Sequence, residues 1–193
     1  MWNKIQRIYV GTNQVYPVWR YSYDFRNKTV SQIISDGWVT WAWTPAINSI
    51  WYASANSNIA RSSKTLTNSL ADAKKITLDL ILVWGSAGAT AVRLFGNWRT
   101  YATWIYIDTS TTQLQVAWDV TSKTVLSSWT YTVKIVIDIT NSTATFSITW
   151  QSDTVINLTN TQINNIKNQI TNIEAQAASS NSGVTSVSLT VEY

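Results

Sequence analysis

Tryptophan and tyrosine are the residues of this chain best equipped for specific chemistry. Their rings stack on flat apolar surfaces such as sugar faces, while an N–H or O–H keeps one end polar. Twelve Trp and nine Tyr occur in 193 residues. Trp41, Trp43, Trp51, Tyr52, Trp98, Tyr101 and Trp104 fall in two groups, over residues 41–52 and 98–104. From these, Tyr52, Trp98, Tyr101 and Trp104 form the candidate ligand-binding set.

Other chemistries are poorly supplied. The chain has no His and no Cys, so Ser-His nucleophilic catalysis, thiolate chemistry and disulfides are excluded. No lysine stands in a Ser-x-x-Lys arrangement, and neither a Gly-Lys dipeptide nor G-x-G-x-x-G occurs. Glycoside hydrolysis uses two opposed carboxylates, yet the only glutamates are Glu174 and Glu192. Asp79, Asp108 and Asp138 sit in or at the ends of expected strands, where solvent-facing or turn-capping roles suffice. Asp119 and Asp153 could offer oxygen ligands, but no loop has calcium-binding spacing, and both read as solvated turn residues. No catalytic, cofactor or metal residue is assigned, and the chain is expected not to be an enzyme.

Charge points the same way. Only 12% of residues are charged, about half the usual ~25%. The net charge of +4 is scattered along the chain, without the basic cluster that nucleic-acid binding requires. The N-terminus lacks the apolar core of a signal peptide. The longest apolar stretch, Leu78 to Trp84, is too short to span a bilayer. The expected partners are therefore neither nucleic acid nor membrane.

The elements that must position the aromatic residues are strands. The clearest is SSWTYTVKIVIDITNSTATFSITW, Ser127 to Trp150. Tyr131, Val133, Ile135 and Ile137 alternate with polar or smaller residues, Asn141-Ser142 breaks the pattern, and Ala144, Phe146 and Ile148 resume it. Two alternating runs across a polar break predict an antiparallel hairpin. Upstream, Tyr21 to Arg26, Ile76 to Val83, Thr90 to Phe95, Thr100 to Asp108 and Gln113 to Ala117 follow with turn residues between them. Ile76 to Val83 is apolar enough to be a central strand covered on both faces. From Lys28 to Ser63 short strands and loops are expected.

Many short strands at this spacing predict an all-β fold, an antiparallel β-sandwich or jelly roll. Residues 1–20 form an N-terminal β arm, and residues 21–193 form the sandwich. One short helix is expected at about 160–178, because Ile163, Ile166, Ile170 and Ile173 recur at spacings of 3, 4 and 3. Thr159 or Asn160 would cap it, and Gly183 lies beyond its end. Val187, Leu189, Val191 and Tyr193 close the chain as a strand over about 185–193.

Twelve Trp against six Gly is an unusual ratio. Trp38, Trp98, Trp118, Trp129 and Trp150 stand beside Gly, Asn, Ser, Asp or Gln where turns are expected and glycine is favoured. Reading glycine there gives ordinary segments such as SSGTYTVKIVID and SITGQSD. Two explanations are open: UGA codons from a genome that reads UGA as glycine, or a genuinely Trp-rich binding domain.

KIQRIYVGTNQVYPV resembles the K-I-x-x-I-Y-V-G-T-x-x-V-x-P segment of bacteriophage virion proteins, and it also reads as an ordinary edge hairpin. The remainder resembles a concanavalin A-like (laminin-G-like) sandwich, carried by YSYDFR, ITLDLILV, TYTVKIVID with TATFSIT, and VSLTVEY. Glucanases of that family carry E-x-D-x-x-E, which this chain lacks, so the resemblance implies a non-catalytic relative. Together the two resemblances imply a structural, surface-binding module of a phage virion, in a tail fibre or other host-facing appendage. It would recognise host glycans, assemble as a homo-oligomer or with other virion proteins, and be located on the virion or outside the cell without a signal peptide. A free-standing carbohydrate-binding lectin and a bacterial surface adhesin are the alternatives.

Overall fold

The computed structural model describes residues 6–10, 13–42, 45–48, 51–54, 60–84, 90–96, 101–107, 111–116, 119–124, 129–149, 151–177 and 183–193. In chain order the first strands are β1 (Gln6–Val10), β2 (Asn13–Asp24), β3 (Val39–Ala42), β4 (Pro45–Asn48), β5 (Trp51–Ser54), β6 (Ala60–Thr65), β7 (Lys75–Trp84) and β8 (Thr90–Gly96). They are followed by β9 (Tyr101–Ile107), β10 (Thr111–Val116), β11 (Asp119–Thr124), β12 (Trp129–Asp138), β13 (Thr143–Ile148), β14 (Thr154–Asn157), β15 (Ile170–Ala177) and β16 (Gly183–Glu192). Two helices interrupt them, α1 (Val30–Ser35) and α2 (Asn160–Gln169).

The strands form two antiparallel sheets. One has nine strands, in the order β1-β2-β16-β7-β12-β13-β14, with β5 joined to β16 and β4 to β5. The other has seven, β11-β10-β9-β8-β15-β6-β3. Strands β7 and β16 lie over β8 and β15, and the core fills the space between. The molecule is an all-β sandwich, as the sequence predicts.

Alternation explains which side chains reach that core. On β7, Ile76, Leu78, Leu80 and Leu82 are buried, while Thr77, Asp79, Ile81 and Val83 are half-buried. The strand is central, between β16 and β12, but only one face is covered. The expectation of two covered faces is corrected: an antiparallel sheet of a two-layer sandwich buries one side and leaves the other to water. At roughly 1.5–3 kcal/mol per large apolar side chain, the inward residues of β7 alone contribute substantially to stability.

The β12–β13 hairpin forms as expected, with Val133 opposite Ile148 and Asp138 opposite Thr143. Its turn is closed by Asp138, whose carboxylate accepts from the Asn141 backbone N–H at 2.9 Å and from Asn141 Nδ2 at 2.8 Å. Ser142 takes φ = 55°, and its carbonyl accepts from Leu158 N at 2.8 Å.

The helix expected over about 160–178 is shorter. It ends at Gln169, and Ile170–Ala177 is strand β15. A capping box starts the helix: Thr159 Oγ1 accepts from Gln162 N, and Gln162 Oε1 accepts from Thr159 N. Ile166 packs into the core from the helix, whereas Ile170 and Ile173 enter it from the strand. The isoleucine spacing fits one helical stripe, but β15 is hydrogen-bonded on both edges, to β8 and β6. Those two ladders outweigh the weak helix propensity of Ile, Thr and Asn. Gly183 opens β16 and does not stop the helix.

A second helix, α1, falls where short strands were expected. Its signal was present in Thr29-Val30-Ser31-Gln32, another capping box. At the other end of β2, the strand continues from its pairing with β1 into its pairing with β16 at Val18. Arm and sandwich thus share one uninterrupted strand.

The tryptophans test the glycine argument. Among the described residues, positive φ falls on Asn27, Gly37 and Ser142, and on no tryptophan. Trp38 is 1% exposed, with ring centroids 5.1 Å from Phe25 and 5.3 Å from Tyr23. Trp129 begins β12 in extended pairing opposite Trp84. Neither backbone position demands glycine, so the turn-based case for recoding is withdrawn at both. Trp98, Trp118 and Trp150 lie outside the described residues.

Candidate functional site

Cross-strand partners share one face of a sheet, so register converts strand pairing into a map of each face. On the seven-stranded sheet, Ile173, Ala175 and Ala177 of β15 and Val92 and Leu94 of β8 are buried in the core. The residues between them belong to the opposite face. One row of partners runs across all seven strands: Val120, Gln115, Trp104, Arg93, Glu174, Ser63 and Val39. The next row is Ser122, Gln113, Tyr106, Ala91, Gln176, Arg61 and Ala42.

The centre of these rows is polar and yet excluded from water. Arg93, Glu174 and Gln176 are 4%, 1% and 2% exposed. Arg93 Nε lies 3.3 Å from Glu174 Oε1. Arg61 Nε donates to Gln176 Oε1 at 3.2 Å, and Arg93 Nη2 donates to the same oxygen. Two guanidinium groups therefore converge on one carboxylate and one amide. Burial pushes the Glu174 carboxyl above the usual range, while Arg93 and Arg61 pull it back. Charges kept out of water are costly unless paired and hydrogen-bonded, so sheet pairing must hold this group rigidly.

The predicted site residues divide between the two sheets. Tyr101 and Trp104 are both on β9. A register shift opposite Leu94 and Phe95 pairs Tyr101 with Phe95 and Trp104 with Arg93. Phe95 and Arg93 are two apart, so the irregularity brings these two aromatic positions to one face despite their odd spacing. Tyr52 is on β5, opposite Ile47 and Val184, and belongs to the nine-stranded sheet. Trp98, like Trp43, lies outside the described residues.

Arg61, Arg93, Glu174 and Gln176 were missed from sequence. The alternation of Glu174-Ala175-Gln176-Ala177 was a usable strand signal, hidden by assigning the segment to a helix. Among the described residues, no three Asp, Glu, His or Cys gather as a cation site would need. Asp153 is exposed just before β14, and Asp119 begins β11.

No family model and no curated protein matches the sequence. Solved structures do match the fold. The carbohydrate recognition domain of Emp46p superposes with a TM-score of 0.61 at 9% identity, covering 86% of this chain and 95% of that one. The CBM2 module of the evolved Dit of Lactobacillus casei BL23 phage J-1 gives 0.55 at 9% identity, covering 91% and 97%. A sialidase gives 0.59 at 9% identity over 90% of this chain, which spans only 18% of the sialidase. At these identities the likeness is one of fold: a β-sandwich of the lectin type.

Proposed function

We propose that the chain is a non-catalytic carbohydrate-binding module of a bacteriophage virion, placed in a tail fibre or another host-facing appendage and recognising host glycans. The observation that carries the sugar-binding part is the row through Trp104, Arg93 and Glu174, with Gln176 and Arg61 beside it. The buried Arg93, Glu174 and Gln176 set the position of the half-buried Arg61 guanidinium, which can reach sugar hydroxyls, and neighbouring aromatic residues supply stacking. Two neighbours of the same fold are named as a carbohydrate recognition domain and as a phage CBM2 module, which favours the same reading. The N-terminal K-I-x-x-I-Y-V-G-T segment adds support for the virion setting. Homo-oligomeric assembly and a virion or extracellular location follow from that setting as parts of the proposal.

A glycan array probed with the recombinant chain tests it. Binding should be lost in Trp104→Ala and in the double variant Arg93→Met/Glu174→Leu, with the fold retained. A uniformly negative array would leave only the structural role in the virion. Mass spectrometry of purified virions tests the setting.

A free-standing lectin is the second reading, favoured by the match to Emp46p, which covers nearly the whole of both chains. Glycan binding without incorporation into virions would select it.

A further inference from the structure

A polar recess of about 420 Å3 opens where the chain crosses from β2 of one sheet to β3 of the other, within the size range of small-ligand sites. Tyr21 and Tyr23 of β2, Lys28 and Asp36 flanking α1, and Lys64 of β6 line it. Lys64 is the unusual member. Its cross-strand partner is Ile173, which is fully buried, so a cation occupies an inward-facing position near the sandwich edge. Its ammonium donates to the Asp36 carbonyl oxygen and lies 5.8 Å from the Tyr21 ring centroid. Partial burial lowers its pKa, and the Asp36 charge opposes that shift.

The backbone makes room for this ammonium. Gly37 has φ = 88°, and a Cβ on it would stand 3.1 Å from Lys64 Nζ. Asp36 accepts from the Tyr23 hydroxyl at 2.8 Å and from Lys28 Nζ at 3.1 Å. The Lys28 ammonium lies 5.5 Å from the Tyr23 ring centroid. Two ammonium groups thus meet at one aspartate, Lys28 at its carboxylate and Lys64 at its backbone carbonyl, while the Asp24 carboxylate at the rim is held by Arg26 Nε. A partly desolvated excess of positive charge favours an anion.

We propose that this recess binds the anionic group of an acidic saccharide, a carboxylate or a phosphate, with Lys64 and Lys28 as charged donors and the two tyrosines as walls. The saccharide part rests on the sugar-binding reading above. The recess is nevertheless separate from the Arg93 row, since Lys64 stands on the face of β6 opposite Arg61 and Ser63.

Titration of the 15N-labelled full chain tests the assignment. Sodium D-glucuronate or D-glucose 6-phosphate at millimolar concentration should move the amide signals of Tyr23, Asp36, Gly37 and Lys64, and D-glucose should not. Comparing the two acids separates carboxylate from phosphate. Lys64→Met should weaken the binding at least about ten-fold, the loss of one charge-assisted hydrogen bond. Lys28→Gln should weaken it less, and it carries the test if the first variant does not fold. Equal shifts with glucose, or no shifts at these four amides, overturn the proposal. A silent recess with a positive glycan array sinks this site alone, and a silent recess with a negative array sinks the sugar-binding reading as well.

Discussion

Arg93 and Glu174 meet across β8 and β15, Nε to Oε1 at 3.3 Å, on the sheet face turned away from the core. Breaking such a pair from one side strands a charge, which costs about 3–5 kcal/mol, whereas removing both partners is often neutral. Arg93→Met is therefore expected to be strongly destabilising, and the double variant Arg93→Met/Glu174→Leu to recover most of the loss. Urea denaturation of the three chains measures this. A single variant as stable as the parent would contradict the pairing.

The pH dependence of stability should carry the signature of Glu174. Its carboxyl pKa is raised by burial, against the pull of Arg93 and Arg61. Between its unfolded and folded pKa the native state holds more protons than the unfolded chain, so this group's contribution falls as pH rises through that window. Asp36 has the opposite sign. The Tyr23 hydroxyl lowers its pKa, with burial opposing and Lys28 assisting, so its contribution is present above the usual carboxylate range and lost on acidification. Denaturation at several pH values should give a less negative slope above the usual glutamate range in Glu174→Gln, and a smaller loss in acid in Asp36→Asn.

Trp38 packs on Phe25 and Tyr23 with an almost fully buried indole. Trp38→Gly should lower stability by at least about 3–5 kcal/mol, the range for large-to-small aromatic substitutions in cores. The corresponding codon should be UGG. A UGA codon at this position, with Trp38→Gly as stable as the parent, would restore the recoding explanation.

Gly96 ends β8 beneath the turn from α2 into β15. A Cβ there would overlap the Gln169 carbonyl oxygen, which is backbone and cannot rotate away. Gly96→Ala should destabilise by about 1–3 kcal/mol or more, seen as a lowered Tm. An unchanged Tm would mean that the α2–β15 junction sits elsewhere.

Ser142 holds φ = 55° in the β12–β13 turn, a conformation that costs a non-glycine residue about 1–2 kcal/mol. Ser142→Gly should raise stability by up to about 1 kcal/mol, after glycine's larger unfolded-state entropy is deducted. A guanidinium midpoint that moves down would refute this.

The sequence alone determined the class of fold, because period-2 alternation is local. Tyr131, Val133, Ile135 and Ile137 against Ala144, Phe146 and Ile148 required a hairpin with one buried face, and Thr159 with Gln162 marked a helix start. It also showed that His- and Cys-based chemistry is absent. The tertiary structure decided where the α2 helix stops, since Ile170 and Ile173 suit a helical stripe and a strand equally until β6 and β8 supply hydrogen bonds on both edges. It likewise decided which residues form a site. Trp104 and Arg93 are neighbours only through the β8–β9 register, Arg93 and Glu174 only through β8–β15, and Lys64 reaches Asp36 only because the chain crosses between sheets. Such partners are set by long-range pairing, which no local pattern records.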